Sequence, residues 1–182
     1  MMDCKKALTE SDGDMEKAME LLREKGLAAA TKKAGRIAAE GIVSSYTSDD
    51  ASVGAIIEVN SETDFVAKNA SFKEFVKGIL QTILRDRPAD MDALNACRFL
   101  DTDQTVEGAL KDKIFTIGEK ISIRRFMVVE GVMSTYIHGM GQTGVIVTFN
   151  VDDAAKNAAG FAEYAKNIAL QVAAMPVQYL NK

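Results

Sequence analysis

Apolar positions along the chain change period near residue 41, and that change separates a helical start from a mixed core. Met2, Ala7 and Leu8 precede Ser-Asp-Gly-Asp at 11–14, and Met15, Ala18, Met19 and Leu22 follow at helical spacing, so two short helices are predicted over residues 1–26. Asp14 sits where an N-cap belongs, an interaction worth about 1 kcal/mol, and Gly26 reads as the stop. Residues 27–40 carry Lys32, Lys33 and Arg36 among alanines and read as a basic connecting helix ended by Gly41. Residues 42–47 and 53–60 are then rich in Val, Ile and Tyr around Ser-Asp-Asp, which is a β-hairpin signal. Helical spacing returns over 69–85 in Phe72, Phe75, Val76, Ile79, Leu80 and Ile83, closing before Pro88. A further helix is expected around 105–116, followed by a strand from Ile121 to Val129 with Ile121, Ile123 and Phe126 marking a buried face.

The core carries an internal repeat. Val53-Gly-Ala-Ile-Ile-Glu-Val-Asn60 aligns with Thr143-Gly-Val-Ile-Val-Thr-Phe-Asn150, Ala67-Lys-Asn69 with Ala155-Lys-Asn157, and Phe72 and Phe75 with Phe161 and Tyr164. Two hairpin-then-helix units are therefore expected, and the fold class is α+β, with helices packed on largely antiparallel sheet. Function is to be sought where the copies differ, because shared residues already account for packing. The first copy has Ser61-Glu-Thr-Asp-Phe-Val66 where the second has only Val151-Asp-Asp-Ala154. Such connections lie on the surface. Taken alone, the residues allow Asp64 or Thr63 to cap the following helix while Phe65 packs with Val66 into the core.

Composition narrows the chemistry. With 47% apolar and 26% charged residues, the 182-residue chain falls in the ordinary globular range. Its 22 basic and 26 acidic residues give a formal charge of −4, which argues against a phosphate-neutralising surface and so against direct nucleic-acid binding. No apolar stretch approaches the roughly 20 residues a membrane span needs, and the amino terminus lacks a signal-peptide pattern; a soluble, cytoplasmic protein is expected. Two separated cysteines, Cys4 and Cys97, and a single histidine, His138, are too few for a zinc site, and no metal or cofactor is expected. One histidine still leaves a Ser/His or Cys/His pair open. Gly139-Met-Gly-Gln-Thr-Gly144 matches G-x-G-x-x-G, but a dinucleotide fingerprint opens a helix. The next residues, Val145 to Phe149, read as a strand, so this is a glycine turn within a hairpin.

At the loop between the first hairpin and its helix, Thr63-Asp-Phe-Val66, preceded by Glu58-Val-Asn60 and followed by Ala67-Lys-Asn69, resembles the signature of the elongation factor Ts family. Four other blocks resemble it in order: Met1-Met-Asp-Cys-Lys-Lys-Ala-Leu8; Gly13-Asp14 through Lys25-Gly26; Lys32-Lys33-Ala34 with Ala38-Ala-Glu-Gly41; and Ile117-Gly-Glu-Lys120 with Arg124-Arg125. The resemblance implies a ubiquitin-associated-like helical module, of which residues 1–26 supply the last two helices. It also implies a linker at 27–41 and a core whose two parts, 42–100 and 101–182, are the two repeats, with further core expected past Tyr179-Leu180. One departure falls at 139–144, where the family commonly has an Arg-Ile-Gly type segment after its His-Gly.

The function so implied is guanine nucleotide exchange on elongation factor Tu in translation, in the GDP-bound or nucleotide-free state and without bond chemistry. Thr63, Asp64, Phe65 and Val66 form the segment expected to displace that partner's Mg²⁺. Ile117 and Gly118 are expected to contact its phosphate-loop side, and His138, Lys32, Met1 and Met2 other parts of its surface. Blander readings stand beside two of these: an exposed hairpin histidine at His138 and a solvated basic helix at Lys32. The resemblance further implies that some family members form homodimers. A different class, a peptide- or ubiquitin-binding adaptor without exchange activity, would share the composition but need neither the Phe65 loop nor the Ile117-Gly118 turn.

Overall fold

A computed structural model describes residues 2–175. Met1, Tyr179 and Leu180 lie outside the described residues. Two helices open the chain, α1 (Met2–Glu10) and α2 (Met15–Lys33). Asp14 caps α2 as the sequence requires, its carboxylate accepting from the backbone N–H groups of Glu16 and Lys17 at 3.0 and 3.2 Å. The stop expected at Gly26 is not there. A glycine inside a helix costs only about 1 kcal/mol relative to alanine, and Gly26 is buried where α2 packs on a later helix, α6 (Val106–Ile117), against Phe115. The basic helix expected over 27–41 is likewise corrected: α2 ends at Lys33 and residues 34–39 are not helical. The Lys120 ammonium binds the carbonyls of Ala34 and Arg36 at 2.7 and 2.8 Å, acceptors that a continuing helix would use internally.

Gly41 is the second residue of β1 (Glu40–Thr47), which pairs antiparallel with β2 (Val53–Ser61), Glu40 opposite Ser61. The turn between them closes on Asp50, whose carboxylate takes the hydroxyls of Ser48 and Ser52 at 2.6 and 2.8 Å. Two helices follow: α3 (Asp64–Lys68) and α4 (Ala70–Asp86), the latter capped by Asn69 through the N–H groups of Ser71 and Phe72. A helix that periodicity did not show, α5 (Met91–Ala96), is too short for a repeat of spacing, although Asp90 caps it at Ala93.

After α6 comes β3 (Ile121–Glu130), on the free side of β2, so the sheet order is β1-β2-β3. Its register shifts between Glu58 and Val59: Arg125 pairs with Glu58 and Ile123 with Val59, leaving Arg124 as the extra residue. This bulge moves the buried face from Ile121 and Ile123 to Phe126 and Val128. It also lets Arg124 and Arg125 both reach the Glu58 carboxylate, at 3.4 and 2.7 Å.

A second hairpin, β4 (Val132–His138) with β5 (Thr143–Phe149), forms its own two-stranded sheet and is followed by α7 (Asp153–Lys156) and α8 (Phe161–Ala174). Residues 139–142 turn between these strands, as the glycine run indicates. The fold is thus α+β, with helices and small antiparallel sheets. Ala55, Ile57 and Val59 of β2 pack against α4, where Phe72, Val76 and Ile79 are fully buried. The sheet's other face meets the second hairpin. There Gly144 permits the approach, because a Cβ would lie 3.0 Å from both Ile56 and Ile137 and closer still to Val43. Phe149 meets Phe161 of α8 edge-on at 5.6 Å.

Candidate partner-binding site

Ser61 ends β2 fully buried, its hydroxyl bonded to the Thr63 carbonyl at 3.0 Å, and the chain turns outward from there. Thr63 occupies the N-cap position of α3, but its side chain makes no cap bond. Its hydroxyl and N–H instead both donate to Glu119, to Oε1 at 2.7 Å and Oε2 at 3.0 Å. Asp64 opens α3 and pairs with Lys68 at 2.6 Å, and that bond holds its carboxyl below the ordinary aspartate range. Phe65 is 80% exposed. It does not join the core, so the packed reading of its side chain is overturned; Val66 and Ala67 alone of this segment enter the core cluster.

Facing the loop is the end of α6. Gly118 adopts φ +86°, a left-handed conformation suited to glycine, and its N–H caps the helix on the Ile114 carbonyl at 3.0 Å. Ile117 is half-buried against the core. The next two residues bind the loop: Glu119 as above, and Lys120, whose N–H donates to the Glu62 carboxylate at 2.6 Å. Glu62 also accepts from Arg36 at 3.3 Å. The Lys120 N–H, with Arg36 beside it, holds the Glu62 carboxyl below its usual range. Three segments distant in sequence, 34–36, 62–66 and 117–120, therefore meet in one hydrogen-bonded cluster with Phe65 standing out of it.

The other expected site residues are less closely joined. Lys32 is exposed in the last turn of α2, next to Lys33, whose ammonium reaches the Ile114 carbonyl of α6 at 3.5 Å. His138 ends β4, exposed, its Nδ1 3.1 Å from the Tyr136 hydroxyl. Its turn docks on β1, where the Val43 N–H donates to the Gly141 carbonyl at 2.6 Å. Val43 lies three strand positions, about 10 Å, from Glu40 at the loop end of the sheet. Met2 is exposed at the start of α1, which packs on α2. Glu62, Glu119 and Arg36 escape sequence reasoning as site residues. For the two glutamates the signal is only a place beside each expected contact segment, and for Arg36 a place in the basic stretch, with nothing local to say that the segments meet.

Among the described residues, no group of three or more His, Cys, Asp or Glu side chains could hold a metal ion, and no helix is long and apolar enough to cross a membrane. The arrangement is an exposed apolar side chain on a braced loop. A family model described as Elongation factor TS matches residues 62–182. Elongation factor Ts of Syntrophotalea carbinolica is 48% identical over 188 residues, covering all of this chain and 60% of its own length. The elongation factors Ts of Clostridium novyi and Clostridium perfringens are 48% and 46% identical, with the same coverage. The chain belongs to the elongation factor Ts family. It spans about 60% of the length of the curated relatives it matches.

Proposed function

We propose that this chain is a guanine nucleotide exchange factor for elongation factor Tu in translation elongation, working in the cytoplasm by contact alone. The observation that carries the reading is the exposure of Phe65 on a loop whose other residues are tied down. Bound GDP in a GTPase is held by backbone amides of the phosphate loop, a lysine and Mg²⁺. A partner that binds the empty state more tightly than the GDP state weakens GDP by the same factor. On this reading Phe65 is an apolar wedge entering beside the Mg²⁺ site, with Asp64 its polar anchor and Thr63 and Val66 its supports. Ile117 and Gly118 press on the phosphate-loop side. His138, Lys32, Met1 and Met2 contribute outlying contacts.

The same reading divides the chain into a ubiquitin-associated-like helical pair whose second helix runs on to Lys33, a short linker from there to β1, and two pseudo-repeated hairpin-helix units at 42–100 and 101–182. The matching order of β1-β2-α3-α4 and β4-β5-α7-α8 supports the repeat. Release of labelled GDP from elongation factor Tu, with and without the chain, tests the function. Faster release upholds it, and an unchanged rate at micromolar chain would overturn it.

A further inference from the structure

Phe65 and the Ile117–Gly118 turn belong to segments more than fifty residues apart, and only noncovalent contacts set their relative position. The pairing of Ser61 with Ile121 brings the two segments side by side, and Thr63 fixes the loop beyond it. Its N–H and hydroxyl end on the two oxygens of Glu119, and its carbonyl accepts from Ser61. In return, Glu62 accepts the N–H of Lys120, the residue after Glu119. Bonds to ionised acceptors are roughly twice as strong as those between neutral groups. With Thr63 held at three points and Val66 in the core, Asp64 and Phe65 between them have little freedom of direction.

Resting on the exchange reading, we propose that Glu119 is a positioning residue for nucleotide exchange: by fixing Thr63 it aims Phe65 outward and keeps it in register with the Ile117–Gly118 turn. Glu119 acts through the loop. When only a fraction of molecules present the competent conformation, apparent affinity falls by that fraction. A Glu119→Ala chain that aims Phe65 correctly for about a tenth of the time thus loses about tenfold in exchange.

The test is stopped-flow release of labelled GDP from elongation factor Tu with the parent chain, Glu119→Ala, Glu119→Gln, Phe65→Ala and the Glu119→Ala/Phe65→Ala pair. Glu119→Ala should slow release about tenfold. Glu119→Gln, which keeps one carbonyl acceptor, should recover part of the loss, and in the Phe65→Ala background Glu119→Ala should add nothing. A parent rate in Glu119→Ala, or independent multiplicative losses in the double variant, overturns the proposal. Thr63→Val, which deletes only the hydroxyl bond, should slow release by less than Glu119→Ala while melting like the parent, and a parent rate there also counts against it. A second readout needs no partner: the Thr63 amide should be protected from hydrogen exchange in the parent and unprotected in Glu119→Ala. Should the parent itself release no GDP, the exchange reading fails. The role in exchange falls with it, and the amide then decides only whether Glu119 fixes the loop: loss of protection in Glu119→Ala upholds that hold on Thr63, and equal protection in both chains overturns it.

Discussion

Phe65 and Val66 are adjacent in the chain and opposite in environment: the phenylalanine is 80% exposed, the valine 8%. One short helix carries both, and each step around it turns a side chain by about 100°; with Val66 and Ala67 both in the core, Phe65 lies about 200° from Ala67 and points outside.

Phe65→Ala should therefore leave stability within about 0.5 kcal/mol of the parent, as surface substitutions do, while GDP release slows strongly. Phe75→Ala, at a site only 4% exposed, should cost about 3–5 kcal/mol. Paired thermal melts distinguish the two, and a drop for Phe65→Ala matching that of Phe75→Ala would place Phe65 in the core.

Acid should loosen the first hairpin turn. The Asp50 carboxyl is held down to about 2 from 3.8, first by the Ser48 hydroxyl and then by the N–H and hydroxyl of Ser52. A depressed folded value means the stabilisation is complete above about pH 4 and lost as pH falls towards 2. Asp50→Asn should melt lower than the parent at pH 7, and the gap should shrink as pH falls from about 4 through 2. A gap independent of pH across melts from 7 to 2 would contradict this.

The amino-terminal helices should be the least protected part of the described chain. Met2, Met15 and Met19 are 76, 64 and 53% exposed, so α1 and the first turns of α2 leave large apolar side chains uncovered, whereas β2 is hydrogen-bonded on both sides. Amide exchange should be fast through residues 3–24 and slow through 53–59; mass-spectrometric exchange that finds them equal would show another surface covering those methionines.

Gly144→Val should destabilise by about 1–3 kcal/mol through overpacking, because Val43, Ile56 and Ile137 already crowd the place its side chain would take. Denaturant midpoints measure this, and a midpoint equal to the parent's would mean that the second hairpin can move away from the sheet.

Much of this was legible because it is local. The Ser-Asp-Asp hairpin, the Asp14 cap and the helix through Phe72 and Ile83 each depend on residues a turn or a strand apart. The glycine turn after His138 did as well, since the strand following it settled the meaning of its glycines. Gly26 misled for the same reason: as a local signal it stops a helix, and only its burial against Phe115, far along the chain, explains why α2 runs on. Ile121, Ile123 and Phe126 read as one buried face, but the bulge at Arg124 that shifts the phase between them belongs to the pairing with β2.

The amino-acid sequence by itself determined most element types, though not α5 or the extent of α2, along with the α+β class and the odd loop around Phe65, because periodicity, caps and copy differences are written in neighbouring residues. Tertiary structure alone decided that Thr63 bonds Glu119, that Lys120 bonds Glu62, and that Phe65 rather than Val66 faces outward. Those outcomes depend on which distant backbone groups lack a partner once the sheet and α6 have packed, and no local pattern of residues encodes that.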